Sequence, residues 1–122
     1  ITPASTAAAL AALEIMQKEP ERQARLWEVT NFALEGFRNM GCEIGNTSTP
    51  IIPLFIRDNN KTFAITRDLL NEGIFVNPVV SPAVAPQDTL IRFSLMATHT
   101  KEQVTTALEK IQKVFRAYEL IP

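Results

Sequence analysis

Along the chain, apolar residues alternate between helical spacing and strand-like runs. Ala4, Ala7, Ala8 and Ala11 recur at helical spacing beside Leu10, Leu13 and Met16, which predicts a first helix to about residue 18 with a face of small side chains suited to close approach. Thr2 before Pro3 marks its start, because a hydroxyl can accept a free backbone N–H and proline fits the first helical position. Pro20 interrupts. A second helix should carry Leu26, Val29, Phe32 or Ala33, and Phe37 inward and end near Met40, with Gly41 available for a left-handed cap. The turn-rich GNTSTP then gives way to IIPLFI, a strand in which Pro53 signals an edge or a bulge, since proline donates no ladder hydrogen bond. A third helix is expected over residues 61–71, presenting Phe63, Ile65 or Ala64, and Leu69 or Leu70, until Gly73 stops it.

The next strand is expected to begin with Ile74, Phe75 and Val76 and to run through Val80 into the proline-rich SPAVAP loop at 81–86. Leu90 to Met96 then alternates, with Ile91, Phe93 and Leu95 on one face and Leu90, Arg92, Ser94 and Met96 on the other. Thr100 followed by Gln103 is a capping-box signature, and Val104, Leu108, Ile111, Phe115 and Tyr118 form the apolar stripe of a last helix. The order helix, helix, strand, helix, strand, strand, helix predicts an α+β fold: a small, mainly antiparallel sheet of three or four strands with helices packed on one face.

Length changes this picture little: 122 residues suit a single domain, 1–122. Charge removes some partners. Twelve Lys and Arg are scattered among thirteen Asp and Glu, leaving no basic stripe for a nucleic acid. No apolar stretch approaches the ~20 residues needed to cross a bilayer, so no membrane partner is expected. The single Cys42 forms no internal disulfide, and one histidine leaves no Cys/His set at zinc spacing. With no secretion-signal pattern at the start, these features fit a reducing, cytoplasmic location. Opening on an Ala-rich helix without an initiator methionine leads us to expect a piece of a longer polypeptide.

Among chemically able residues, Arg92 is the leading candidate. A strand holds it firmly, and a guanidinium offers donors in a fork that matches a carboxylate. From spacing alone, a solvated arginine or one paired with an acid such as Asp88 is the commoner reading, because most arginines are solvated or structural. His99 could act as a base, but it stands just before the capping Thr100, where a structural histidine is the simpler reading. Cys42 has no Cys or His partner nearby in sequence to activate it. Trp27 and Tyr118 read as core or interface contacts. The SPAVAP loop could be a stiff carrier of substrate contacts or an inert connection. No phosphate-cradling glycine pattern is present, and no lysine stands in a recognisable cofactor context.

The stretch GIFVNPVVSPAVAPQDTLIRFSLMATHT, residues 73–100, resembles a family pattern of a Gly-Ile strand, a Pro-x-Val-Pro loop and an arginine-bearing strand ending in Ala-x-His-Thr. That pattern belongs to the α-oxoamine synthases, the group of 8-amino-7-oxononanoate synthase, glycine C-acetyltransferase and serine palmitoyltransferase. The Ala-rich opening helix and TPIIPLFI at 49–56 are similar to further family segments. The resemblance implies the C-terminal small domain of a fold-type I, pyridoxal-phosphate-dependent acyltransferase, closest in kind to 8-amino-7-oxononanoate synthase. It also implies that an amino acid and an acyl-CoA are the substrates, that the complete enzyme is a homodimer, and that the cofactor is held by a missing N-terminal large domain and not by this piece, which should be inactive alone. Arg92 matches the family arginine that binds the substrate carboxylate. Ala83 falls at a substrate-contacting position of the loop, with Ser81, Pro82 and Val84 around it. Here the chain departs from its relatives: Ala83 replaces a residue that is often threonine, Ala85 a common proline, and Val80 an arginine of some members. The alternatives are another fold-type I aminotransferase and a non-catalytic ligand-binding or interaction module.

Overall fold

The computed structural model describes all of residues 1–122. Four helices, α1 (Pro3–Lys18), α2 (Glu21–Asn39), α3 (Asn59–Asn71) and α4 (Lys101–Ala117), accompany three strands, β1 (Ile51–Phe55), β2 (Asn77–Val79) and β3 (Leu90–Ser94). The strands form one antiparallel sheet in the order β1-β3-β2, so β3 is central and both others are edges. Ile52 and Leu54 of β1 and Ile91 and Phe93 of β3 are buried beneath α2, α3 and α4, while the alternate residues face away from the helices. This is the expected α+β arrangement. Phe37 of α2 meets Phe93 edge-on, ring centroids 5.0 Å apart, and anchors the helix layer to the sheet.

The helix boundaries follow from local chemistry. Thr2 accepts the Ser5 N–H ahead of Pro3, and Asp58 accepts the Lys61 N–H at 2.7 Å, so α3 starts two residues earlier than its apolar pattern indicates. Thr100 and Gln103 complete the reciprocal capping box. We expect Thr100→Ala to cost about 0.5–2 kcal/mol in denaturant unfolding. At the other ends, Gly41 and Gly73 adopt φ of 78° and 83°. In each case the two following amides return to the last turn: Gly41 to Arg38 and Cys42 to Phe37, Gly73 to Leu70 and Ile74 to Leu69. The last of these bonds corrects an expectation. Ile74 is tied to the helix end and Phe75 is 80% exposed, so the strand begins at Asn77 and not at Ile74.

Two other expectations change. Phe63 points outward, 53% exposed, because Thr62, Ile65 and Leu69 form the inward stripe of α3; Thr62 occupies its buried place with its hydroxyl donating to the Asp58 carbonyl at 2.6 Å. The small face of α1 meets no neighbour: none of its residues is buried, and Leu10, Leu13, Ile15 and Met16 are exposed. The molecule exposes 7755 Å², whereas a compact monomer of its 13.6 kDa mass would expose about 6,600 Å². No helix is long and apolar enough to cross a membrane.

Polar contacts between elements hold several carboxylates below their ordinary range. Tyr118 Oη donates to Asp68 at 2.6 Å, Lys113 to Glu72 at 2.6 Å, and Lys101 pairs with Glu28 at 2.7 Å; each hydrogen bond favours the charged acid. A carboxylate whose folded-state pKa is depressed stabilises the fold above its unfolded-state pKa and loses that contribution as pH falls through the folded value. We therefore expect the thermal midpoint to hold from pH 7 to about 5 and to fall below about pH 4. These groups are exposed or half-exposed, so salt should shrink the effect.

Candidate functional site

β3 places Arg92 at the middle of the sheet, opposite Pro53 of β1 and Asn77 of β2. The alternation that buries Ile91 and Phe93 turns Arg92 to the helix-free face. Its guanidinium is exposed and makes no hydrogen bond or ion pair. The structural alternative of a bridge to Asp88 is not realised: Asp88 is taken by Arg57, whose Nη1 donates to it at 2.8 Å. A forked cation without an internal partner, mounted on a strand paired on both sides, is free to bind an anion or to stay solvated.

Arg92 lines a cleft of about 460 Å³ in which apolar residues such as Phe75 and Met96 outnumber the polar ones, among them Asn77, Ser94, His99 and Gln103. His99 Nδ1 accepts the Met96 N–H at 3.1 Å, and the His99 N–H donates to the Met96 carbonyl at 3.1 Å. Its ring closes the turn between β3 and α4, which is the structural role the sequence suggested. Cys42 is half-buried, and desolvation pushes its thiol up to about 11, which disfavours the thiolate at neutral pH. Trp27 is 39% exposed and lies outside the core; Tyr118 is half-buried and bound to Asp68.

The loop after β2 turns sharply through a cis Ser81–Pro82 bond, and the Ala83 N–H donates to the Val80 carbonyl at 2.9 Å. Ala83 and Pro82 are exposed, Ser81 and Val84 partly so. With its amide engaged, Ala83 has only its carbonyl and methyl free for a ligand. The structure also brings in residues that sequence reasoning passed over. Arg57 and Asn59 bond to this loop, and Phe75 and Asn77 line the cleft with Arg92; no periodicity marks them, because these placements come from contacts distant in the chain.

No lysine and no carboxylate lines the cleft. Lys18, Lys101 and Lys113 pair with Glu14, Glu28 and Glu72, and Lys110 donates to the Glu72 carbonyl. The residues around Arg92 therefore do not fit the covalent anchoring of an aldehyde cofactor. Nor is any group of three or more His, Cys, Asp or Glu gathered for a metal ion.

Residues 1–111 match the family described as aminotransferase class I and II, and the chain belongs to that family. Within it, the relatives fit the α-oxoamine synthase group. The chain is 60% identical over 120 residues to a serine palmitoyltransferase from Bacteroides thetaiotaomicron, covering 98% of this chain and 30% of that protein. It is 36% identical over 121 residues to an 8-amino-7-oxononanoate synthase from Fervidobacterium nodosum, covering 99% and 31%. Among solved structures, serine palmitoyltransferase of Sphingomonas wittichii superposes with a TM-score of 0.78 at 32% identity over 83% of this chain and 26% of that one. A high-resolution structure of SPT with PLP internal aldimine gives a TM-score of 0.86 at 26% identity over 91% and 28%. The chain thus spans about 30% of the length of the curated relatives it matches.

Proposed function

We propose that these residues form the substrate-facing, C-terminal small domain of a pyridoxal-phosphate-dependent acyl-CoA:amino acid C-acyltransferase, with Arg92 receiving the amino acid's carboxylate. The observation that carries this reading is the unpaired guanidinium of Arg92 on the open face of the sheet. Similarity to enzymes about three times as long supports a missing large domain, as do the wholly exposed α1 and the surplus surface of the molecule. That domain would supply the cofactor and its lysine, the cofactor providing the electron sink for the carbon–carbon bond formation. Here Arg92 grips and orients the carboxylate, and the 80–86 loop limits the space around the substrate through the Ala83 carbonyl and methyl.

On the particular reaction, identity favours serine and palmitoyl-CoA as substrates: three relatives named serine palmitoyltransferase are 52–60% identical, whereas relatives named 8-amino-7-oxononanoate synthase are 34–39% and a further serine palmitoyltransferase is 36%. The 8-amino-7-oxononanoate synthase-like reading stands second. A cytoplasmic homodimer is the form we propose for the complete enzyme. The test is release of CoA by the full-length protein across a panel of amino acids and thioesters. Serine with a long-chain thioester should give the highest kcat/KM; preference for another pair would reject the assignment, and no CoA release from any pair would reject the acyltransferase itself.

A further inference from the structure

We propose that Arg57 is a positioning residue for the loop over 80–88, and that with Asn59 it fixes where the exposed atoms of that loop stand; its consequence for catalysis rests on the loop's being part of the substrate site.

Arg57 immediately follows β1 with φ of 68°, in the left-handed region where a side chain is disfavoured and glycine is at ease. A non-glycine residue persists in such a conformation when its surroundings hold it there. The holding contacts are visible. Nη1 donates to the Gln87 carbonyl at 3.0 Å and to Asp88 at 2.8 Å, Nε donates to Glu43 at 3.3 Å, and Nη2 donates to the other Glu43 oxygen. The guanidinium carbon lies 4.3 Å from the centre of the Phe55 ring. In addition, the Ile56 and Arg57 amides both donate to the Thr89 carbonyl at 3.0 Å.

Two residues on, Asn59 Oδ1 accepts the Ser81 N–H at 3.4 Å. The short junction between β1 and α3 therefore grips the loop at both ends, at Ser81 and at Gln87–Asp88. Between those points the loop has two internal hydrogen bonds, Ala83 to Val80 and Asp88 to Ala85, and Pro82 and Pro86 have no N–H to add another. Arg57 differs from Arg92 in kind: two carboxylates already neutralise it, which leaves it to hold protein and not substrate.

Glycine is the informative replacement. Arg57→Gly deletes the clamp while suiting the backbone, so a residue that only stabilised the fold should lower the thermal midpoint without singling out the loop, whereas a clamp should release the loop and leave the midpoint nearly in place. In the full-length enzyme we expect Arg57→Gly to keep its thermal midpoint within a few degrees while the amides of Ser81, Ala83 and Asp88 exchange with solvent roughly tenfold faster. With that release, kcat/KM for the amino acid should fall about tenfold. Arg57→Lys should recover only part of both, since one ammonium cannot serve Glu43, Gln87 and Asp88 together. Asp88→Asn loosens the same clamp from the other side and carries the test should Arg57→Gly not fold. Unchanged exchange at the loop in these variants would overturn the proposal. Faster exchange with unchanged kinetics would uphold the clamp and instead remove the loop from the substrate site.

Discussion

Replacing Arg92 with alanine in the complete enzyme should lower kcat/KM for the amino acid by roughly two to four orders of magnitude. A charge-assisted hydrogen bond contributes ~1.5–3 kcal/mol, a forked pair makes two, and each 1.4 kcal/mol is a factor of ten. Because Arg92 has no internal partner, its removal should leave the thermal midpoint nearly unchanged, which separates loss of binding from loss of fold. Arg92→Lys should restore little, since an ammonium presents no fork. Steady-state kinetics with varied amino acid and saturating thioester provide the measurement. An unaltered KM and kcat in Arg92→Ala would remove this residue from the site.

The second large effect concerns the fold. Phe37 is fully buried and packs edge-on against Phe93, so Phe37→Ala should destabilise the protein by about 3–5 kcal/mol. In a domain of this size that lowers the thermal midpoint by roughly 10–20 °C. A shift of only a degree or two in calorimetry would mean that the α2 layer is not a cooperative part of the core.

How far the sequence reveals these sites depends on whether local spacing or distant contact decides them. β3 was legible in its alternation, since a period of two separates Ile91 and Phe93 from Arg92 and Ser94, but not in its end: the strand stops at Ser94 and not at Met96, whose N–H turns to His99 Nδ1. The start of α4 was legible too, because the Thr100 and Gln103 bonds close within one turn. α3 was only partly so. Phe63 is the more apolar neighbour of Thr62, yet the face set by Ile65 and Leu69 takes the threonine, whose hydroxyl finds a carbonyl one turn back. For β2, a bond from Ile74 to the preceding helix delayed the strand, and no pattern of apolar residues reports that bond. For Arg92, spacing leaves a solvated cation, an Asp88 pair and a ligand site all open; the Arg57–Asp88 pair removes only the second of these. Arg57 itself carries no local mark, since φ of 68° and partners 14 and 31 residues away exist only in three dimensions.

The placement of proline in the sheet has a consequence for solubility. Pro53 lies mid-strand in β1 and Pro78 mid-strand in β2, and these are the two borders of the ribbon. A foreign strand adding to either side would meet a missing donor at the centre of its would-be ladder. Both flanks are therefore poor templates for fibre growth, even though one broad surface of the sheet lies bare of helices.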